Sequence, residues 1–245
     1  MLLRSVYFAL RRMLRGYMGY VILILLPLAI ITVNGFAIGD EFVDEHGRSG
    51  MEMIAGAIII GFQLVGGFYT METVKSDLFS ENRWRLLSLP YPIYIHTFSI
   101  LISSVLFNIL NGTIMVLFTH WVFAVNWGNM AWVILVLTLV SFVSQLVFLL
   151  AVMAIKKYKM AELIGYAYLF LFMLLSGYLF IPIPEIALFD WVNRYINPLT
   201  LGETAIIYNM IGAGMSDAYL SMGMLLLLSV VLAVLVVLIG RRRLA

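Results

Sequence analysis

"MLLLLSVVLAVLVVLIG", residues 224–240, contains no charged side chain and no alternation of polar with apolar residues. "VILILLPLAII", residues 21–31, has the same character. A strand of a membrane-spanning barrel alternates in polarity over stretches of about ten residues, and these runs do not. Inside lipid every backbone donor and acceptor must be satisfied within the chain, so an unbroken apolar run reads as a helix. A helix needs about 20 apolar residues to cross a hydrocarbon core of roughly 30 Å. Six segments meet that length, at about 18–38, 53–73, 97–125, 130–155, 161–181 and 218–239.

Composition agrees. The 245 residues are 63% hydrophobic and only 11% charged, with a mean hydropathy of +1.04. Soluble domains carry about 25% charged residues, and a soluble chain this long could not cover itself with so few. There are no cysteines, which excludes disulfides, thiolate metal sites and a cysteine nucleophile. The basic N-terminus, with Arg4, Arg11, Arg12 and Arg15, is followed by no small-residue cleavage site and reads as retained.

The basic residues set an orientation. With the N-terminus in the cytoplasm, Arg4, Arg11, Arg12, Arg15, Lys75, Arg83, Arg85, Lys156, Lys157, Lys159 and Arg241 to Arg243 lie inside. Only Arg48 and Arg194 lie outside, so 13 of the 15 basic residues are cytoplasmic. This is a strong positive-inside bias. Both termini are therefore expected in the cytoplasm, in a multi-pass protein of a bacterial cell membrane. In residues 1–16, Leu3, Tyr7, Leu10 and Leu14 share one helical stripe and Arg4, Arg11 and Arg15 another. That pattern predicts an amphipathic helix at the membrane surface, or a basic flank that only fixes topology.

Between the fifth and sixth spans, residues 182–214 are too polar to span and too apolar for a free loop. Ile186, Phe189, Val192 and Ile196 share a helical face, Asp190 and Arg194 form an i,i+4 pair, and "NP" at 197–198 ends the piece. A second short helix is expected from Leu201 to Met210. Two short helices tucked into the outer leaflet, or one that merely seals the outer face, fit this pattern.

No chemical engine is visible. There is no GxxxxGK[ST] loop, no HExxH and no carboxylate cluster inside a span. The span centres lack acidic and basic side chains, whose placement there costs about 2.5–3.5 kcal/mol or more. His120, near the outer end of its span beside Trp121, reads as a hydrogen-bonded membrane-edge histidine. Gln145 reads as an interhelical hydrogen bond. An intramembrane hydrolase built on Ser176 and His120 would lack a third orienting group.

One polar segment interrupts the apolar chain on the cytoplasmic side. Residues 76–92, "SDLFSENRWRLLSLPYP", combine Asp77, Leu78, Glu81, Arg83, Trp84, Arg85 and Leu87 before Pro90 and Pro92. Ser76 is placed to cap a short helix here, with acids toward its start and arginines toward its end, as the helix dipole prefers. An aromatic anchor rimmed by charge suits a soluble partner. It equally suits a helix lying flat on lipid with Trp84 at headgroup depth.

The order of these features resembles the membrane subunits of ABC-2 type ATP-binding-cassette transporters, over nearly the whole chain. "RLLSLPYPIYIHTFSIL" is similar to the family's LL-x-x-P passage into span three, and "YINPLTLGETAIIYN" to its outer NPL-T passage. The chain departs from the family's Glu-Arg-Gly-Thr, having Glu81-Asn82-Arg83-Trp84. The resemblance implies an all-α membrane protein forming a single transmembrane domain over 1–245, with 76–92 as the coupling helix and 182–214 as outer re-entrant helices. It implies a separate ABC ATPase subunit that binds ATP and Mg, with no cofactor in this chain. It also implies a second permease, identical or homologous, in contact with membrane lipids and not with nucleic acid. The coupling contacts would be Asp77, Leu78, Glu81, Arg83, Trp84, Arg85 and Leu87, with the N-terminal helix as a second contact.

The path would run along spans two and five, which carry Phe62, Gln63, Phe68, Tyr69, Tyr166 and Phe170, with Tyr168 and Phe172 nearby. An aromatic, uncharged path suits an amphipathic or apolar cargo such as an antimicrobial peptide, drug or lipid; aromatics in spans also serve plain helix packing. Gly56, Ala57, Gly61, Gly66 and Gly67 in span two permit close approach, either to a second subunit or within the chain. The expected function is the permease of an ATP-driven exporter. The rival is a membrane-embedded immunity or sensor protein that binds a peptide or partner without moving it.

Overall fold

A computed structural model describes residues 2–38, 43, 47–78, 93–155, 157–179 and 186–244. Those residues form helices and no strand beyond one isolated bridge between Val43 and Ser49. Helix α1 (Leu2–Arg15) ends at Gly16 and leads into α2 (Tyr17–Tyr20), a π-helical turn (Val21–Leu25) and α3 (Leu26–Ile38). Helix α4 is Gly50–Leu78 and α5 is Ile93–Phe123. Then come α6 (Met130–Ala154), α7 (Tyr158–Leu175), the short α8 (Ala187–Tyr195) and α9 (Pro198–Ile211), and α10 (Met215–Leu244).

Five of these helices, α4, α5, α6, α7 and α10, are long and apolar enough to cross a membrane, and a shorter apolar helix covers Val21–Ala37. That shorter helix holds the π-turn because Pro27 sits near the start of α3. Proline lacks an N–H and its ring crowds the carbonyl four residues back. The helix widens by one residue just before it, and the Leu26 N–H reaches the Val21 carbonyl, five residues back. The segment expected as the first span, about residues 18–38, is thus a shorter apolar helix with a built-in wide turn.

Helix ends follow local chemistry. Ser49 and Glu52 form a reciprocal cap at the start of α4, with Ser49 N–H to Glu52 Oε2 at 2.9 Å and Glu52 N–H to Ser49 Oγ at 3.2 Å. Asn129 caps α6 by accepting from the Ala131 and Trp132 N–H groups. Asn197 caps α9, with Pro198 at the first helical position, where its missing N–H costs nothing. Gly212 ends α9 at φ +72°, a left-handed conformation that favours glycine.

The core is built around α6, which packs most closely against α4 and α10 and also touches α5, α7 and α9. Close approach of α4 and α6 depends on Gly67, where a Cβ would lie 2.1 Å from the Phe148 ring. Gly165 of α7 faces the same ring from the other side, at 2.5 Å. Gly66 is equally tight, against Asn108. At Gly56 and Gly61 a Cβ would meet nothing within 4 Å. The glycines of α4 thus divide into an internal packing pair and a pair with free space. Two of the long helices are much more open than the others: only 22% of the most apolar stretch of α7, and the same share of α10, is buried inside the chain.

Candidate functional site

Helix α1 docks on the start of α5 through small and weakly polar side chains. Ser5 Oγ and Ser99 Oγ lie 2.7 Å apart, Ser103 Oγ donates to the Val6 carbonyl at 3.0 Å, and Met13 Sδ lies 3.7 Å from Ser104 Oγ. Ala9 and Met13 are buried here. The strongly apolar stripe seen in the sequence is turned elsewhere: Leu3, Tyr7 and Leu14 are exposed, as are Arg4, Arg11 and Arg15. The helix therefore has a docking face, an open apolar ridge and an open basic ridge.

Arg12 is the exception among its arginines. Its guanidinium grips Asp77 with both ends, Nη1 to Oδ1 at 2.9 Å and Nη2 to Oδ2 at 2.7 Å. This bidentate geometry is the strongest arginine–carboxylate arrangement, and it holds Arg12 above its ordinary pKa against the opposing effect of burial. His96 Nε2 lies 3.0 Å from the same Asp77 Oδ2. Asp77 and His96 are largely covered, at 12% and 14% exposure. Asp77 stands at the C-terminal end of α4 and His96 in the first turn of α5. One carboxylate thus ties α1 to both edges of the polar segment that leaves α4 and enters α5.

The short helix expected to begin at Ser76 does not begin there. Helix α4 runs through to Leu78, and Ser76 Oγ donates back to the Thr73 carbonyl at 2.9 Å, inside the helix. An apolar span continued by helix-forming polar residues has no reason to stop at its membrane edge. Leu78 closes α4; Glu81, Arg83, Trp84, Arg85 and Leu87 lie outside the described residues. The role of His96 was not visible in the sequence, since only the fold brings it to Asp77.

The aromatic residues of the expected path occupy two environments. Phe68 packs at 4.5 Å against both Phe148 and Tyr166, and Tyr168 bridges Phe148 and Phe172. These rings fasten α4, α6 and α7 together. Tyr69 stacks on Phe107 beside the α1–α2 corner, and Phe62 is half-buried against the core. Tyr166 and Phe170, one turn apart on α7, are more than half exposed, as is Leu163. Lys75 of α4 sits 3.8 Å over the Tyr158 ring at the start of α7.

Deeper in the bundle lies a band of polar side chains. Asn108 Nδ2 donates to the Gln63 carbonyl and to Ser141 Oγ, Ser144 Oγ donates to the Leu64 carbonyl, and Thr70 donates to Gln145 Oε1. The last is the interhelical bond expected of Gln145. Gln63 is itself 1% exposed. His120 Nδ1 is 2.9 Å from the Val125 carbonyl. Ser176 Oγ donates to the Phe172 carbonyl and accepts from Asn197, which leaves no nucleophile–base pair between Ser176 and His120.

Between α7 and α10, the two short helices α8 and α9 are fastened to the end of α7 by two asparagines. Asn197 Nδ2 reaches the Phe172 carbonyl, Ser176 Oγ and Asn193 Oδ1, while Asn193 Nδ2 reaches the Leu175 carbonyl. The expected Asp190–Arg194 pair does not form; Arg194 lies instead over the ring of Tyr195, at 5.7 Å. Tyr178 Oη donates to Glu203 Oε2 at 3.2 Å, and burial pushes the Glu203 carboxyl above its ordinary pKa.

A bundle of long apolar helices with an amphipathic helix clamped to its polar edge defines a polytopic membrane protein. The model of the ABC-2 type transporter family matches residues 4–211, and the chain belongs to that family. It is a transport subunit, the permease of an ABC transporter, of a kind that works with an ABC ATPase. Comparison with curated proteins gives no match.

Proposed function

We propose that this permease exports an amphipathic or apolar cargo, such as an antimicrobial peptide, a drug or a lipid, driven by a separate ATPase chain that holds ATP and Mg. Six helices cross a bacterial cell membrane, with the Val21–Ala37 helix as the first and both termini in the cytoplasm. Two permease subunits share the path. The segment 76–92 seats in the ATPase and serves as the coupling element. Closure of the ATPases around nucleotide shifts the permease between inward-open and outward-open states.

The observation that carries this reading is the clamp of Arg12, Asp77 and His96. A segment that transmits force needs stiff attachments at its ends, and here both flanks meet on one carboxylate with α1. The exposed Tyr166, Phe170 and Leu163 face of α7 supports an apolar lining for the path. Export itself is tested in inverted membrane vesicles containing the permease and its ATPase, with amphipathic peptides and apolar dyes as cargo. ATP-dependent accumulation of at least one such cargo, lost without Mg, is expected. Saturable peptide binding that ATP neither drives nor alters would contradict export and favour the immunity or sensor reading.

A further inference from the structure

The last turn of α8, the body of α9 and the first turns of α10 border an open cleft of about 280 Å³, lined by residues that include Arg194, Thr204, Tyr208, Asp217, Leu220 and Ser221. It lies at the end of α10 opposite the basic Arg241 to Arg243. Arg194 and Asp217 carry opposite charges into this one space, yet among the described residues neither forms an ion pair. The side-chain hydroxyls of Thr204, Tyr208 and Ser221 also have no hydrogen-bond partner within the described residues. Asn193, which also lines the cleft, already donates to the Leu175 carbonyl, and Thr200, Ser176 and Asn197 nearby likewise have partners inside the chain. A cleft that gathers unspent donors and acceptors around two separated opposite charges is matched by a ligand carrying both charges.

The surface that runs on from this cleft is apolar. Leu220 lines the cleft, and Leu227, Val231, Val234 and Leu238 follow it at spacings that keep them on one face of α10. All five are exposed, as are Leu226, Val230 and Leu235 beside them, so an open apolar surface runs along α10 below the cleft. Polar head in the cleft and apolar chains along this surface describe a phospholipid.

We propose that this cleft binds the headgroup of a zwitterionic phospholipid that carries an amine and a phosphate. Asp217 takes the ammonium. Arg194 takes the phosphate, a task for which its planar fork is well shaped, with the hydroxyls of Thr204, Tyr208 and Ser221 completing the anion's shell. A purely anionic headgroup would bring its charge to Asp217 with nothing to offset it.

The test uses the full chain, delipidated in neutral detergent, and reads lipid binding by native mass spectrometry; it needs neither the ATPase nor transport. The probes are phosphatidylethanolamine, phosphatidylglycerol with the same acyl chains, and free glycerophosphoethanolamine. Phosphatidylethanolamine is expected to bind about tenfold more tightly than phosphatidylglycerol, the effect of one charge-assisted hydrogen bond. Asp217→Asn should abolish that preference, and Arg194→Gln should weaken both lipids. Among the described residues neither side chain has an ion pair to lose; Arg194 gives up only its contact with the Tyr195 ring and Asp217 only its charge in the first turn of α10, so both variants should melt within a few degrees of wild type. Equal affinity for the two lipids would overturn the proposal, as would a preference that survives Asp217→Asn. Displacement of the lipid by equimolar glycerophosphoethanolamine would also overturn it, assigning the cleft to a soluble zwitterion.

Discussion

Replacing Asp77 by Asn keeps the size of the side chain and removes its charge. Arg12 is half exposed, so solvent screening limits the pair to about 1 kcal/mol. His96 and Asp77 are far better covered, and weakening their contact adds about 1 kcal/mol at most. The remaining attachments of α1, through Ser5, Val6 and Met13, do not involve Asp77. The His96 contact joins α5 to α4, so the loss on the docking of α1 is that of the Arg12 pair alone, about 1 kcal/mol, or about a 5-fold larger undocked population. Hydrogen exchange of the nanodisc-embedded protein reads this directly. Amides of residues 2–15 should exchange faster in Asp77→Asn by about that factor, because local opening sets their rate. Amides of α6, at the centre of the bundle, should be unchanged. The charge-reversed pair Arg12→Asp with Asp77→Arg should recover part of the protection. If α1 exchanges at the wild-type rate in Asp77→Asn, the clamp contributes nothing and the reasoning fails. If α6 loosens equally, the substitution has damaged the whole fold and α1 is not separately tethered.

The same structure makes three further predictions. Gly67→Ala pushes a methyl group into the buried Phe148 ring and should cost about 1–3 kcal/mol, while Gly56→Ala, with open space, should be close to neutral; thermal unfolding in detergent compares the two. Asn197→Ala removes three hydrogen bonds to α7 and α8 and should cost about 1–3 kcal/mol, seen as faster exchange in residues 187–211 with α4 unaffected. Burial raises the Glu203 pKa in the folded state, so Glu203 favours folding most below the usual carboxylate range and loses that contribution as pH rises through its raised value. Glu203→Gln should flatten this part of the pH dependence of the melting temperature and raise stability above it.

The long helices were readable from the sequence because hydrocarbon thickness and backbone satisfaction leave an apolar run of that length few alternatives. The outer pair of short helices was readable for a related reason: Asn197-Pro198 stops one helix and caps the next. The docking of α1 was not. The sequence marks Leu3, Tyr7 and Leu14 as an apolar stripe for a membrane surface, but nothing in it shows that Ser5, Ala9 and Met13, whose small or flexible side chains allow close helix approach, would face α5. The cap expected at Ser76 failed because serine inside a helix can bond back to its own turn as readily as it can start a new one. His96 carried no local signal; its meaning comes from a neighbour 19 residues earlier. The aromatic residues proposed for the path could not be sorted by composition, since Phe68 and Phe170 are the same residue type and only packing separates a core ring from an exposed one.

The central claim is that the cytoplasmic segment between α4 and α5 couples this permease to an ATPase. Affinity purification of the tagged chain from detergent tests it most directly, comparing wild type with Trp84→Asp and Arg85→Glu and following bound subunits and ATP hydrolysis. The account predicts an ABC ATPase in the wild-type eluate and its loss from both variants, with the permease still folded. A well-folded wild-type chain that retains no nucleotide-binding partner, or variants that retain it undiminished, would contradict the claim.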